Sequence, residues 1–157
     1  MYLMSAFAES LLISDCARFW ENNMANIDLC TETEIAVMVR AFYADIRRDD
    51  VLGPIFERHV DDWDRHLAKL VDFWSSILRG TGRFSGAPMP KHAALPDLDA
   101  ALFKRWLGLF EQTALAQPNR AMGAHACAMA QRIAQSLWFG YQTSHRPGVL
   151  PTALAAG

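Results

Sequence analysis

The chain has 157 residues, enough for one hydrophobic core and too few for two comfortable ones. Its net charge of -2 and the lack of any basic run speak against nucleic acid as a partner, because phosphate binding needs a basic excess. Hydrophobic residues make up 52%, with 5 Trp and 9 Phe, which allows a large flat apolar ligand, yet no apolar stretch approaches the ~18 residues of a membrane span.

Residues 1–30 read as an extension. Ser5 can cap a loose helix over residues 6–20, and Glu9 and Asp15 interrupt an apolar run that has no basic flank, unlike a secretory signal. Cys16, Cys30 and Cys127 show neither CxxC nor Cys/His spacing, which argues against a zinc site and fits a reducing cytoplasm. The globular domain, residues 31–146, opens on Thr31-Glu32-Thr33-Glu34, a capping box. Turning ~100° per residue from Ile35 brings Met38, Val39, Phe42 and Ile46 onto one helical face, with Tyr43 at its edge. The pattern predicts a break at Gly53 and a single restarted turn at Pro54 that carries Phe56 inward.

Residues 61–78 carry the clearest helical pattern. Trp63, His66, Leu67, Leu70, Val71, Phe73, Trp74, Ile77 and Leu78 share one side, while Asp72, Ser75 and Ser76 fall on the opposite, polar side. His66 therefore lies on an apolar stripe, where an imidazole needs a hydrogen-bond partner or a ligand. Gly80 ends the helix, and the loop after it reaches Pro88-Met89-Pro90-Lys91-His92-Ala93-Ala94-Leu95-Pro96. Pro90 and Pro96 bracket barely one and a half turns, too short to stand alone, with His92 as its versatile side chain. Asp97 or Asp99 caps a further helix to about residue 116, with Trp106 central on its apolar face among Leu102, Phe103, Leu109, Phe110 and Thr113. The last helix starts near Pro118 and presents Met122, Ala126, Met129, Ile133, Leu137 and Tyr141, with His125 at the stripe's edge. Residues 147–157 have little to dock with and are expected to fray.

Four amphipathic helices and no strand-period segment make an all-α domain. Tyr43, His66 and Trp106 come from three different apolar faces, and clustering such polar rings costs stability unless their donors find an acceptor. A bound ligand atom is one such acceptor. A lone histidine with an apolar, aromatic pocket makes a poor zinc or di-iron site and suits haem iron. A cofactor-free helical interaction module, all its aromatics in the core, is the alternative.

Phe42-Tyr43, Leu52-Gly53-Pro54-Ile55-Phe56, Trp63 with His66, Phe73-Trp74, Pro90-Lys91-His92 with Leu95-Pro96, and Trp106-Leu107 with Leu109-Phe110 resemble, in this order and spacing, the third group of truncated haemoglobins. The resemblance covers about residues 33–141. It implies a two-over-two helical sandwich around haem b, with His92 as the proximal iron ligand and Phe56 packed on the porphyrin. Leu70 and Trp74 join the cofactor contacts, and Arg83 and Lys91, flanking the proximal element, are candidates for the propionates. Tyr43, His66 and Trp106 then line the distal side, where Tyr43 and Trp106 can each donate to a ligand. The implied ligands are dioxygen, NO and CO. Nitric oxide dioxygenation or peroxide chemistry, with a reductase as partner, is the enzymatic form of the same expectation.

Overall fold

Thr31 starts the first described helix as expected. Its hydroxyl accepts from the Glu34 N–H at 3.2 Å, and its own N–H donates to the Glu34 carboxylate at 2.7 Å, so two otherwise unpaired amides are satisfied at the head of α1, Glu32–Arg48. The computed structural model describes residues 25–86, 88, 92 and 97–154. The loose helix expected over 6–20, Cys16 and Lys91 lie outside them.

The break after α1 falls at Asp49, four residues before the glycine expected to make it. Asp49 turns extended and its carboxylate accepts from the N–H groups of Val51 at 3.0 Å and Leu52 at 2.8 Å, which launches α2, Leu52–His59. Gly53 sits within the first turn of α2. A Cβ there would lie 2.9 Å from the Arg47 carbonyl oxygen, so its role is to let two helix ends abut. The restart is thus eight residues long, more than the single turn expected.

Asp62 caps α3, Trp63–Arg79, by accepting the Arg65 N–H at 3.0 Å, and Gly80 closes it in the left-handed region at φ 70°. One side chain on its supposed polar face is misplaced by pattern alone: Ser75 is fully buried. Its hydroxyl donates to Glu32 at 2.7 Å, so the Thr81 hydroxyl, 3.0 Å away, must donate to Ser75. Asp99, not Asp97, caps α4, Ala100–Leu115. Asn119 caps α5, Arg120–His145, while its side-chain amide donates to Leu29 O at 3.0 Å and to Glu34 at 3.1 Å.

These five helices, with no strand among the described residues, form an all-α, two-over-two sandwich: α4 packs along α5, and α1 lies against both α3 and α4. Phe42, 1% exposed, is the hub, meeting the rings of Tyr43, Trp106 and Phe110 edge to face at 4.9, 5.3 and 5.0 Å. The tail finds a partner that apolar patterning does not show. Gln142 is buried on α5, accepts the Thr152 N–H at 3.0 Å and donates to the Thr152 carbonyl at 2.9 Å. Leu154 is tied by its N–H to Gln135. Among the described residues no helix is long and apolar enough to cross a membrane.

Candidate functional site

Three helices bring the polar rings together. Tyr43 on α1 is 6% exposed, and its ring stands edge-on to His66 of α3 at 5.6 Å and 88° and to Phe56 of α2 at 5.8 Å. Burial pushes the Tyr43 phenol well above its ordinary range, only partly offset by the nearby Trp106 indole N–H of α4. Tyr43 therefore remains a protonated donor at any working pH. The sequence pattern presents Tyr43 and Trp106 as two separate donors, whereas the folded chain brings the Trp106 N–H near the Tyr43 hydroxyl.

Trp106 is held in a stack. Phe110 lies on it at 5.3 Å and 13°, and Trp74 lies against Phe110 at 4.8 Å and 17°. Trp74 is 2% exposed, so its ring supports this stack from within the core. Trp63 joins the distal cluster, edge-on to His66 at 5.8 Å. The helical pattern puts Trp63 on the apolar side of α3, and the folded chain adds its contact with His66.

Along α3, Leu67, Leu70 and Val71 continue the face of Trp63 and His66, and each is only partly covered. Phe56 and Trp106 are also half-buried. A row of apolar side chains packed on the core and left half-covered is a cradle of the kind a flat apolar group completes.

His92 supplies the second element. Its Nδ1 lies 2.8 Å from the Pro88 carbonyl oxygen, and a carbonyl can only accept, so Nδ1 carries the proton and donates. The tautomer is thereby fixed with the lone pair on Nε2, the arrangement of a metal-ligating imidazole oriented by a backbone carbonyl. No group of three or more His, Cys, Asp or Glu side chains that could hold a metal ion occurs among the described residues. The half-covered apolar face of α3 and the preset His92 imidazole are the parts of this chain that a flat metal-bearing cofactor would need.

Arg83 is drawn elsewhere. It pairs with Glu32 at 3.0 Å and with Asp72, and Arg79 joins it on Glu32. Burial tends to raise the Glu32 carboxyl, but the Ser75 hydroxyl, Arg83 and Arg79 outweigh it and hold that carboxyl below its usual range. The Phe84 N–H adds a 2.9 Å bond to Ser76. Together these bonds anchor the start of the loop that leads to His92.

An all-helical sandwich with one preset imidazole and a half-covered apolar face beside a phenol, an indole and a second imidazole has the parts of a small protein of globin type. No protein-family model matches the chain. It is 36% identical over 107 residues to a group 3 truncated haemoglobin of Campylobacter jejuni, a match that covers 66% of this chain and 84% of that protein. The crystal structure of a group III truncated haemoglobin from Campylobacter jejuni superposes with a TM-score of 0.64 and 34% identity, over 71% of this chain and 91% of that one. The chain belongs to the group III truncated haemoglobins. Membership carries a globin-type role, haem-dependent binding of small ligands.

Proposed function

We propose that the protein holds haem b through His92 Nε2 and binds dioxygen and related diatomic ligands, NO and CO among them, on the side of Tyr43. The observation that carries this reading is the Pro88-oriented His92 imidazole, taken with the buried Tyr43 hydroxyl that has the Trp106 indole N–H near it. Bound haem supplies an iron position at which a diatomic ligand can be held and polarised.

His92 would hold the iron through Nε2, with Nδ1 donating to the Pro88 carbonyl. Phe56 and Leu70 offer apolar area to the ring, with Trp74 backing the Phe110–Trp106 stack behind it. Arg83 reaches a propionate only by sharing its charge with Glu32 and Asp72. With haem bound, Tyr43 would offer its O–H as a hydrogen-bond donor to a ligand, the nearby Trp106 N–H would strengthen that donor, and His66 with Phe56 would keep water out. A charge-assisted bond of this kind contributes ~1.5–3 kcal/mol, and ~1.4 kcal/mol is tenfold in affinity. Slow release follows. It suits redox turnover of the held ligand with an external reductase better than carriage, because a carrier must let its ligand go.

The test is absorption. Freshly purified protein, or protein titrated with hemin, should show a Soret band that saturates at one haem per chain. A colourless chain that takes up no hemin stoichiometrically overturns the reading.

A further inference from the structure

Trp63 stands where α1, α2 and α3 converge over the distal rings. On its inner side the indole is edge-on to His66 at 5.8 Å and tilted against Tyr43 at 6.2 Å. On its outer side the Arg47 guanidinium of α1 lies 4.6 Å above the ring centre, and Arg47 Nε donates to Glu57 of α2 at 2.8 Å. The Arg47 guanidinium, and after it the Trp63 N–H, hold the Glu57 carboxyl below its usual range. That N–H is shielded from solvent and near Glu57, but makes no well-formed hydrogen bond to it.

The Arg47 and Glu57 side chains are 49% and 48% exposed, so their ion pair is worth little to the stability of the fold. An exposed pair too weak to hold a fold together still biases a local opening. Three residues, Val60, Asp61 and Asp62, join α2 to α3 just before the indole, and both Val60 and Asp62 have extended backbone. The indole thus sits on a helix end beside a short hinge, fastened to its neighbours by one cation–π contact and one ion pair over its outer face.

We propose that Trp63 is a gate on the ligand path, latched by Arg47 and Glu57, whose swing away from His66 sets how fast a diatomic ligand passes between solvent and the distal pocket. This inference rests on the haem reading above. Tyr43 and Trp106 act on the ligand once it is held, and so on its escape. A gate acts on passage in both directions by the same factor and leaves affinity alone.

The experiment uses carbon monoxide on the haem-loaded full chain, followed by flash photolysis and by ligand replacement. In Arg47→Leu and in Glu57→Gln, association and dissociation should rise together, about two- to fivefold, the range an exposed pair can bias. Trp63→Ala should raise both about tenfold with their ratio unchanged. Raising salt from about 0.1 M to about 1 M, which shortens the Debye length from about 10 Å to about 3 Å, should speed both rates in the parent protein and not in Glu57→Gln. A second readout needs no haem: amide exchange in the purified chain should lose protection over residues 60–66 in Arg47→Leu while α5 is unchanged. Unchanged carbon monoxide rates in variants with a normal Soret band overturn the gate, and so does a change in dissociation alone. Should the parent chain take up no haem, the haem reading falls by itself, and unchanged exchange over residues 60–66 then overturns the latch as well.

Discussion

The two sides of the site are built by different means. The side of Tyr43, His66 and Trp106 is made from the faces of three long helices, and its rings are fixed by packing: Phe42 touches Tyr43 and Trp106, and Phe110 and Trp74 stack behind the latter. On the His92 side, the described contact is a 2.8 Å bond to the Pro88 carbonyl, which sets the imidazole. Packing makes the distal wall rigid without help from a ligand. On the other side, a bound group that takes His92 as its ligand stabilises the native chain by mass action. Substitutions on the proximal side should therefore act on whether the cofactor stays. Those on the distal side should act on how long the ligand stays.

The largest effect sharpens this contrast directly. In His92→Gly the chain loses its axial donor, and hemin uptake should fall from stoichiometric to that of nonspecific binding, with the ordinary ferrous spectrum gone. Exogenous imidazole should restore the spectrum, because the cradle is intact. A variant that keeps a normal ferrous spectrum unaided breaks the comparison, since another group would then be the ligand.

Next come Tyr43→Phe and Trp106→Phe, read by dioxygen dissociation. Loss of the Tyr43 donor should speed release about 10- to 100-fold, matching ~1.5–3 kcal/mol. On the reading that the Trp106 N–H acts through the nearby Tyr43 hydroxyl, loss of Trp106 should cost less, about tenfold or below. In a double-mutant cycle, Trp106→Phe should then add almost nothing on top of Tyr43→Phe. Fully additive effects would show that the indole reaches the ligand independently and does not act through Tyr43.

Much of this was legible in the residues. The Thr31–Glu34 box, the Gly80 stop and the apolar faces of α1, α3, α4 and α5 follow from local rules, because the interactions that set them lie within one turn. What escaped was long in sequence. Ser75 reads as surface because its partner Glu32 is 43 positions away, and Gln142 reads as an exposed polar residue until the chain folds back to Thr152. Asp49 moved the α1–α2 boundary through its own carboxylate, a turn chemistry weaker in pattern than the nearby glycine. In the site, Tyr43, His66 and Trp106 could be placed on their faces, but only the packed helices show that the Trp106 N–H lies near the Tyr43 hydroxyl, that Arg83 is engaged by two acids, and that Trp63 packs on His66 and Tyr43.

The smallest effect concerns the frame of the distal wall. Arg105, the residue before Trp106, donates through Nε to both Asp49 oxygens at 2.8 Å, and so ties α4 to the corner between α1 and α2. The Arg105 bond, with the N–H groups of Leu52 and Val51, outweighs desolvation and lowers the Asp49 carboxyl from 3.8 to about 2. A carboxyl lowered on folding binds fewer protons in the native chain than in the unfolded one. Its contribution to stability is thus fully present above the unfolded value of 3.8 and drains away as pH falls from there through about 2. Urea midpoints of the parent and of Asp49→Asn should differ at neutral pH, and the gap should close across that acid window. A gap that persists to pH 2 would mean that Asp49 acts by shape alone. If the gap closes and dioxygen release at neutral pH is faster in Asp49→Asn, while hemin uptake by His92 is unchanged, the clamp belongs to the distal frame and the two sides of the site are energetically separate.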